Sequence, residues 1–334
     1  MNLVTGGTGL VGAHLLLELA GMGRPVRALY RSSDTLAKTK NLFTHYGKAG
    51  LFNTIEWVKG DVLDVPSLED AFTGVEYVYH CAAYISFDPG DEEKIRKVNI
   101  EGTANMVNLA LDFGVKKFCH ISSIAALGDT HHDGGTISEE TEWNPEKRHG
   151  DYALAKYGAE MEVWRAWQEG LSVVIVNPGL IFGYGFWEQG SGKILKAVAK
   201  GQQFYTNGTC GVVAIQDVVN IILKLTDSNI SGERYSLVGE DLSYKEMLDA
   251  IAEGMNKKGP AVYATKLMSG FAWRADWLLS KVLMRPRMLT RTMVRSSYST
   301  DKYSNEKIKK ALGHEFTAVK PFLIQLAKQY PRRR

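Results

Sequence analysis

The first twelve residues contain the feature that most constrains the fold of this chain. A short apolar run at Leu3 and Val4 is followed by glycines at positions 6, 9 and 12, and then by an apolar helical stretch over residues 14–20. The order of strand, glycine turn and helix lets backbone N–H groups at the start of the helix approach a phosphate closely. Because the chain contains 33 glycines, the spacing gains its meaning from the strand and helix around it. The segment therefore predicts a phosphate-binding turn, with an ordinary strand–helix turn as the alternative.

Apolar runs typical of strands alternate with helical stretches through the first half of the chain. After the first run, the predicted strands cover residues 25–30, 55–58, 75–81, 117–122 and 172–176. Between the fourth and fifth strands the pattern predicts one long helix, from about Glu92 to Phe113. Strands separated by helical crossovers imply a parallel, doubly wound α/β sheet. Ligands of such sheets bind beyond the carboxyl ends of the strands.

The pattern changes after residues 177–179, where strands and helices no longer alternate. A helix is predicted over 191–201, a strand over 211–215 leads into a helix at 217–226, and the pattern beyond Ser243 is mainly helical. We therefore expect a cofactor domain together with a smaller, discontinuous part that binds the substrate.

The composition of the 334 residues is that of an ordinary globular protein, with 45% hydrophobic and 23% charged residues. The net charge of +3 is too small to indicate binding to nucleic acid. Cys81, Cys119 and Cys210 lie far apart without paired spacing, which disfavours a disulfide framework and fits a reducing compartment. The N-terminus lacks the basic region of a signal peptide. We therefore expect a cytoplasmic protein.

Two further segments invite other interpretations. Residues 267–284 are apolar and aromatic but include Arg274, Asp276 and Lys281. This pattern favours an amphipathic helix over a membrane span, and it leaves peripheral membrane contact as an alternative. The run His-His-Asp at 131–133 could hold a metal, but two glycines follow it and no further ligands are evident. It is interpreted as a surface loop, and no metal site is predicted.

Tyr152 and Lys156 form the second informative pattern. Residues four apart project from one face of a helix, so the phenol and the ammonium group would be neighbours. A free tyrosine titrates near ~10, and acting as a proton donor and acceptor near neutral pH would require its pKa to fall by roughly 3 units, or about 4 kcal/mol. A neighbouring cation acts in that direction. The spacing is common in helices. It gains weight here because it lies downstream of the glycine turn and of a strand that ends at Ser122 and Ser123.

Several motifs together resemble the extended short-chain dehydrogenase/reductase family. The three longest are Thr5-Gly-Gly-Thr-Gly-Leu-Val-Gly12, His120-Ile-Ser-Ser-Ile-Ala-Ala-Leu-Gly128 and Tyr152-x-x-x-Lys156. Shorter pieces that agree are Gly60-Asp61-Val62, His80-Cys-Ala-Ala83, Val98-Asn99-x-x-Gly102-Thr103 and Asn177-Pro178-Gly179. The resemblance covers nearly the whole chain, and it implies a Rossmann-type doubly wound parallel sheet with a smaller, mainly helical substrate-binding part.

The expected domain boundaries follow from this fold. Residues 1–176 are predicted as the dinucleotide-binding domain, which the segment at about 212–240 rejoins. Residues 177–211 and 241–334 are predicted as the substrate-binding part.

The resemblance implies four catalytic residues. Tyr152 would exchange a proton with the substrate oxygen, and Lys156 would lower the pKa of that tyrosine and hold the ribose hydroxyls beside the nicotinamide. Ser123 would hydrogen-bond the substrate carbonyl, with Ser122 as the alternative. Asn99 would support the site through its helix and a proton relay, with a capping or packing role as the alternative.

The same resemblance implies the cofactor-binding residues. The glycines would line the pyrophosphate, Asp61 and Val62 would flank the adenine, and Ala82 and Ala83 would let the cofactor cross the fourth strand. The full predicted set is Gly6, Thr8, Gly9, Leu10, Val11, Gly12, Arg31, Asp61, Val62, Ala82, Ala83, Tyr152, Lys156 and Pro178.

Arg31 bears on the choice between NADP and NAD. It follows the second predicted strand, where an acidic residue would bind the 2′-hydroxyl of NAD and an arginine suits the 2′-phosphate of NADP. Arg31 therefore favours NADP, with NAD as the alternative, and a solvent-exposed arginine without a cofactor role is the simplest other interpretation.

Within the family, two positions separate the branches. Sugar-nucleotide dehydratases carry an Asp-Glu pair where this chain has Ile124-Ala125, and residues 176–183 resemble the dihydroflavonol-4-reductase and hydroxysteroid dehydrogenase branches.

The leading hypothesis is an NADP(H)-dependent oxidoreductase that reduces a ketone or aldehyde of a small molecule. The alternatives are an NAD(P)-dependent sugar-nucleotide epimerase and a dinucleotide-binding sensor without turnover. The family often dimerises through the helices that bear Asn99 and Tyr152, so a homodimer is expected.

Overall fold

The computed structural model describes residues 1–130, 134–284, 287 and 289–331. The His-His-Asp run at 131–133, interpreted above as a surface loop, lies outside the described residues. The strands are β1 Asn2–Thr5, β2 Val26–Tyr30, β3 Glu56–Lys59, β4 Tyr77–His80, β5 Lys117–Ile121, β6 Thr136–Ile137, β7 Val173–Pro178, β8 Leu180–Phe182, β9 Phe204–Tyr205, β10 Thr209–Ala214, β11 Glu233–Leu237, β12 Glu240–Ser243, β13 Val262–Tyr263 and β14 Lys302–Tyr303. The helices are α1 Leu10–Gly21, α2 Leu36–His45, α3 Val65–Phe72, α4 Glu92–Arg96, α5 Gly102–Asp112, α6 Asp151–Gln168, α7 Gly192–Ala199, α8 Ile215–Asp227, α9 Tyr244–Gly254, α10 Lys266–Val282, α11 Arg291–Ser296, α12 Glu306–Leu312 and α13 Val319–Lys328.

Seven parallel strands form the central sheet, in the order β11-β7-β5-β4-β1-β2-β3. The strand order reverses direction between β1 and β4, and ligands of open α/β sheets bind in the crevice beyond the carboxyl ends at such a point. The predicted doubly wound α/β sheet is confirmed, and the glycine turn lies directly after β1.

Helices cover both faces of this sheet. Leu3 and Val4, neighbours in β1, are both fully buried but belong to different hydrophobic clusters on opposite faces. One cluster packs α1 and α8 on the sheet, and the other packs α3, α5 and α6 on it. Inner strands such as β1 and β7 are buried on both faces, which explains why each contains a continuous apolar run and not an alternating pattern.

A second, three-stranded sheet is formed by β12, β10 and β8. It packs with α7, α9 and α13 around its own hydrophobic cluster. The strand predicted over 211–215 corresponds to β10 and lies in this smaller sheet. The chain then returns to the large sheet through α8, and β11 pairs with β7 there.

The long helix predicted from Glu92 to Phe113 is interrupted. A π-helical turn, Lys97–Glu101, joins α4 to α5 and contains Asn99. Immediately after it, a Cβ at Gly102 would lie 2.6 Å from a methyl carbon of Val62, so the helix packs very closely on the loop after β3. Such π turns insert one extra residue into a helix and often occur at functional sites.

Among the helices that the structure describes, none is long and apolar enough to cross a membrane.

Candidate active site

The glycine turn after β1 is shaped by contacts that leave no room for side chains. Gly6 has a φ of +66°, and a Cβ there would lie 2.7 Å from the backbone nitrogen of Ala82. A Cβ at Gly12 would lie only 2.3 Å from the carbonyl oxygen of Gly6. Gly9 differs, since its nearest neighbour would be the Gly6 oxygen at 3.3 Å. Gly6 and Gly12 therefore serve the internal packing of the turn, whereas Gly9 lies at its outer side.

The outer side of the turn is a helix N-terminus. Gly9 is the N-cap of α1 and has no side chain to bond the N–H groups of the first turn. The predicted residues Thr8, Leu10 and Val11 are half-buried around it. Backbone donors and the positive end of the helix together fit a pyrophosphate.

The other predicted cofactor residues follow the carboxyl ends of neighbouring strands. Arg31 comes directly after β2 and is exposed, Asp61 and Val62 follow β3, Ala82 and Ala83 follow β4, and Pro178 ends β7. Because these ends meet at one edge of the parallel sheet, the structure brings the predicted set to the same edge as the glycine turn.

Ser123 and Tyr152 meet at this edge. Ser123 follows β5 and accepts a hydrogen bond from the backbone N–H of Ala125 at 3.2 Å, which fixes its hydroxyl at the start of a short 3₁₀ turn. Tyr152 lies in the first turn of α6, and its phenol lies close enough to the Ser123 side chain for that group to act on its pKa. Burial raises the pKa of Tyr152 to about 12, and the polar Ser123 side chain opposes this rise. The phenol is therefore protonated at neutral pH.

The pKa of Tyr152 is therefore raised, whereas the resemblance implied that Lys156 would lower it. Desolvation disfavours the phenolate more than the surrounding groups of this structure stabilise it.

Lys156 lies one helical turn beyond Tyr152 and is only 3% exposed. Its ammonium group donates to the carbonyl oxygen of Ile121 at 2.9 Å. An ammonium carries three donors, so this bond uses one of them. Burial lowers the pKa of Lys156 to about 8, while the carboxylate of Glu160 acts in the opposite direction.

The two serines after β5 point to different partners. Ser122 donates to a carboxylate oxygen of Glu160 at 2.5 Å and is buried. Ser123, and not Ser122, therefore lies beside Tyr152.

Sequence reasoning missed the buried network beneath Ser123. Glu160 is fully buried, and the side-chain amide of Asn177 donates both to it, at 2.5 Å, and to the Ser123 carbonyl oxygen, at 2.9 Å. Arg234 donates to the second Glu160 oxygen at 3.3 Å. Burial raises the pKa of Glu160, and the bonds from Ser122 and Arg234 counteract it. The signal was present, because Glu160 repeats the spacing of four that relates Tyr152 to Lys156 and so shares their face of α6.

Asn99 holds the chain after β4. From the π turn, its side chain accepts a hydrogen bond from the backbone N–H of Tyr84 at 2.8 Å and donates to the Tyr84 carbonyl at 3.0 Å. Phe87, three residues further along, is 48% exposed, and its ring centroid lies 5.8 Å from that of Tyr152. Asn99 thus anchors the loop whose tip reaches the mouth of the site.

Comparison with known proteins agrees with this geometry. A sequence profile described as the NAD dependent epimerase/dehydratase family matches residues 2–237. Sterol demethylase protein B of Methylococcus capsulatus is 32% identical over 278 residues, which cover 82% of this chain and 81% of that protein. Cinnamoyl-CoA reductase 1 of Petunia hybrida is 26% identical over 336 residues, which cover 97% of this chain and 90% of that protein.

A solved structure shows the same fold over the full length. The crystal structure of UDP-glucose 4-epimerase from Thermotoga maritima with UDP-glucose has a TM-score of 0.78 to this chain, at 20% identity, and covers 99% of this chain and 98% of its own. From the family profile, the relatives and the site geometry, the chain belongs to the NAD-dependent epimerase/dehydratase family and is an NAD(P)-dependent enzyme of the short-chain dehydrogenase/reductase type.

Proposed function

We propose that this protein is an NADP(H)-dependent reductase of a ketone or aldehyde. The observation that carries the proposal is the placement of Ser123, after β5, beside Tyr152, in the first turn of α6, at the carboxyl edge of the sheet. The Tyr152 phenol carries its proton at neutral pH and is therefore able to donate it, while burial, which raises its pKa to about 12, makes it a weaker acid than free tyrosine.

The residues divide the work as follows. Ser123 donates a hydrogen bond to the carbonyl oxygen, and Tyr152 transfers its proton to that oxygen as the alcohol forms. Bound NADPH supplies the hydride that adds to the carbonyl carbon. Lys156 holds ribose hydroxyls with its remaining ammonium donors. Asn177 keeps Ser123 in place through the Ser123 carbonyl oxygen.

Three groups hold the cofactor in this proposal. The N-terminus of α1 at Gly9 binds the pyrophosphate. Arg31 binds the 2′-phosphate, and its exposure beyond β2 leaves the guanidinium accessible to that group. Pro178 contributes the wall beside the nicotinamide.

Gly9 and Gly12 should respond differently to alanine. In Gly12→Ala the new methyl group meets backbone at 2.3 Å, so we expect unfolding to become easier by about 1–3 kcal/mol and NADPH binding to be lost. In Gly9→Ala the methyl group meets only the Gly6 carbonyl oxygen, at 3.3 Å, a contact that a small shift relieves. We therefore expect a smaller loss of stability than in Gly12→Ala but at least about tenfold weaker NADPH binding, since the methyl group occupies the pyrophosphate side. Thermal unfolding and fluorescence titration measure both, and equal NADPH affinity of Gly9→Ala and the parent would contradict this account of the turn.

Arg31→Ala tests the choice of cofactor. We expect NADPH affinity to fall about tenfold to a hundredfold, because a charge-assisted contact is worth about 1.5–3 kcal/mol, while NADH affinity stays nearly unchanged. Arg24→Ala is the matched control, since Arg24 precedes the opposite end of β2 and pairs with Asp227. A parent protein that binds NADH as tightly as NADPH would remove the argument for NADP.

Turnover distinguishes the reductase from the alternatives. The purified protein is offered NADPH with a dihydroflavonol, cinnamaldehyde and a 3-keto sterol, and NADPH oxidation is followed together with alcohol formation. The reductase consumes NADPH with at least one of them. An epimerase would instead retain NAD through purification and convert UDP-glucose without net consumption of cofactor, and a sensor would bind NADPH without turning over any of the four.

A further inference from the structure

Helix α10 packs on the protein with its polar face and exposes its apolar face. The buried side chains of this helix are Ser269, Asp276 and Ser280. Four large apolar side chains lie on the opposite face, at spacings of four, seven and four, and are 58–71% exposed: Leu267, Phe271, Leu278 and Val282. A helix on the surface of a globular protein ordinarily has the reverse arrangement. The exposed face therefore needs an apolar environment other than this chain's own core.

Positive charge surrounds this face. Residues 266–298 contain seven lysines and arginines and one acidic residue, Asp276, in a chain whose net charge is +3. Asp276 is buried and accepts a hydrogen bond from the backbone N–H of Leu289. Arg274 and Lys281 lie at the border of the apolar face. The guanidinium carbon of Arg274 lies 4.6 Å from the ring centroid of Trp273, and the ammonium nitrogen of Lys281 lies 4.4 Å from that of Trp277. Within residues 266–298, basic side chains thus outnumber acidic ones by seven to one.

The segment also adjoins the mouth of the active site. Beyond α10, the backbone N–H of Arg287 donates to Asp88 at 3.3 Å. Asp88 follows Phe87, whose ring approaches Tyr152. The exposed apolar side chains Ile85 and Phe87 therefore lie within three residues of a contact with the segment that follows α10.

We propose that α10 docks the protein on the surface of a membrane that contains anionic lipid. The apolar face enters the boundary between headgroups and acyl chains, and Arg274 and Lys281 reach the lipid phosphates. The helix lies in the plane of the surface, since it is not able to span a bilayer. The mouth of the site then faces the membrane.

Charge favours lipid over a second copy of the chain. A two-fold dimer through α10 would place the same basic segment of each copy against the other, and such like-charge contacts are costly. An anionic surface attracts the segment through each basic residue close to it.

Sedimentation with vesicles tests the proposal without any measure of activity, so its outcome is independent of the proposed reductase function. The full chain is mixed with vesicles of phosphatidylcholine, alone or with an equal part of phosphatidylglycerol. We expect binding to the mixed vesicles, weakened by salt, and little binding to phosphatidylcholine alone. Phe271→Ser with Leu278→Ser, and separately Arg274→Glu with Lys281→Glu, should each lower the partition coefficient at least about tenfold.

Matched controls change exposed residues elsewhere. Met22→Ser with Phe113→Ser removes two exposed apolar side chains that lie outside α10, as the control for the serine variant. Lys224→Glu with Lys328→Glu reverses two exposed charges outside α10, as the control for the glutamate variant. Both should bind vesicles as the parent does. Failure of the parent to bind the mixed vesicles, equal binding to both vesicle types, or α10 variants that bind like the parent would overturn the proposal. So would a lipid-free dimer that Phe271→Ser with Leu278→Ser dissociates in analytical ultracentrifugation.

Discussion

Tyr152→Phe is expected to lower kcat for carbonyl reduction by about a hundredfold to ten-thousandfold, the range that loss of a positioned proton donor produces. The phenylalanine keeps the ring of Tyr152 and removes only the hydroxyl beside Ser123. NADPH affinity should therefore change little, and steady-state kinetics with a parallel binding titration measures both quantities.

Tyr157→Phe provides the matched control in the same helix. The Tyr157 ring stacks on Trp143, with centroids 4.3 Å apart, and its hydroxyl has no part in the proposed reaction. We expect this variant to retain the turnover of the parent. Full turnover by Tyr152→Phe would show that another group donates the proton.

Lys156 should give the pH profile of NADPH use an alkaline limb near pH 8. Burial lowers the pKa of Lys156 to about 8, so its ammonium is charged below this pH and loses its proton above it. Since kcat/KM reports the ionisations of the free enzyme, kcat/KM for NADPH should be level below about pH 8 and then fall towards tenfold per pH unit. Tyr152 stays protonated through this range because its pKa is about 12.

The variant Lys156→Met tests whether the fall of kcat/KM above pH 8 comes from Lys156 and not from another titrating group. It should lower kcat/KM at neutral pH by about a hundredfold, because a charge-assisted hydrogen bond of this kind is worth about 1.5–3 kcal/mol, and its profile should be level across pH 8. Lys200→Met, at the exposed end of α7, should keep the profile of the parent. A parent profile without a decline between pH 7 and 10, or a decline that Lys156→Met retains, would contradict this role.

Much of the large sheet could be predicted from the sequence, because inner strands such as β1 and β7 are buried on both faces and contain continuous apolar runs. The proximity of Tyr152 and Lys156 could be predicted for a similar reason, since the spacing of four fixes which residues share a helix face. The sheet that β10 joins could not be predicted, because alternation along the chain does not specify a strand's partners.

The electrostatics of the site depend on how deeply each group is buried in the folded protein, and they could therefore not be predicted from the sequence. The pattern suggested that Lys156 would lower the pKa of Tyr152, but in the structure desolvation raises it. Glu160 and Asn177 come from different elements, and only the fold brings them together beneath Ser123. The amphipathic pattern of residues 267–284 was visible, whereas the inward orientation of its polar side required the packing of α10.

Transfer of deuterium from labelled NADPH tests the central claim most directly. The protein is given the carbonyl compound that it reduces and NADPH carrying deuterium at the reactive carbon of the nicotinamide, with each of the two possible configurations in turn. The account predicts that one of the two places a single deuterium on the alcohol carbon for each NADPH oxidised, and that Tyr152→Phe slows this transfer. Two results would contradict the account. One is an alcohol that contains no deuterium from either labelled cofactor, and the other is that none of the carbonyl compounds offered leads to oxidation of NADPH.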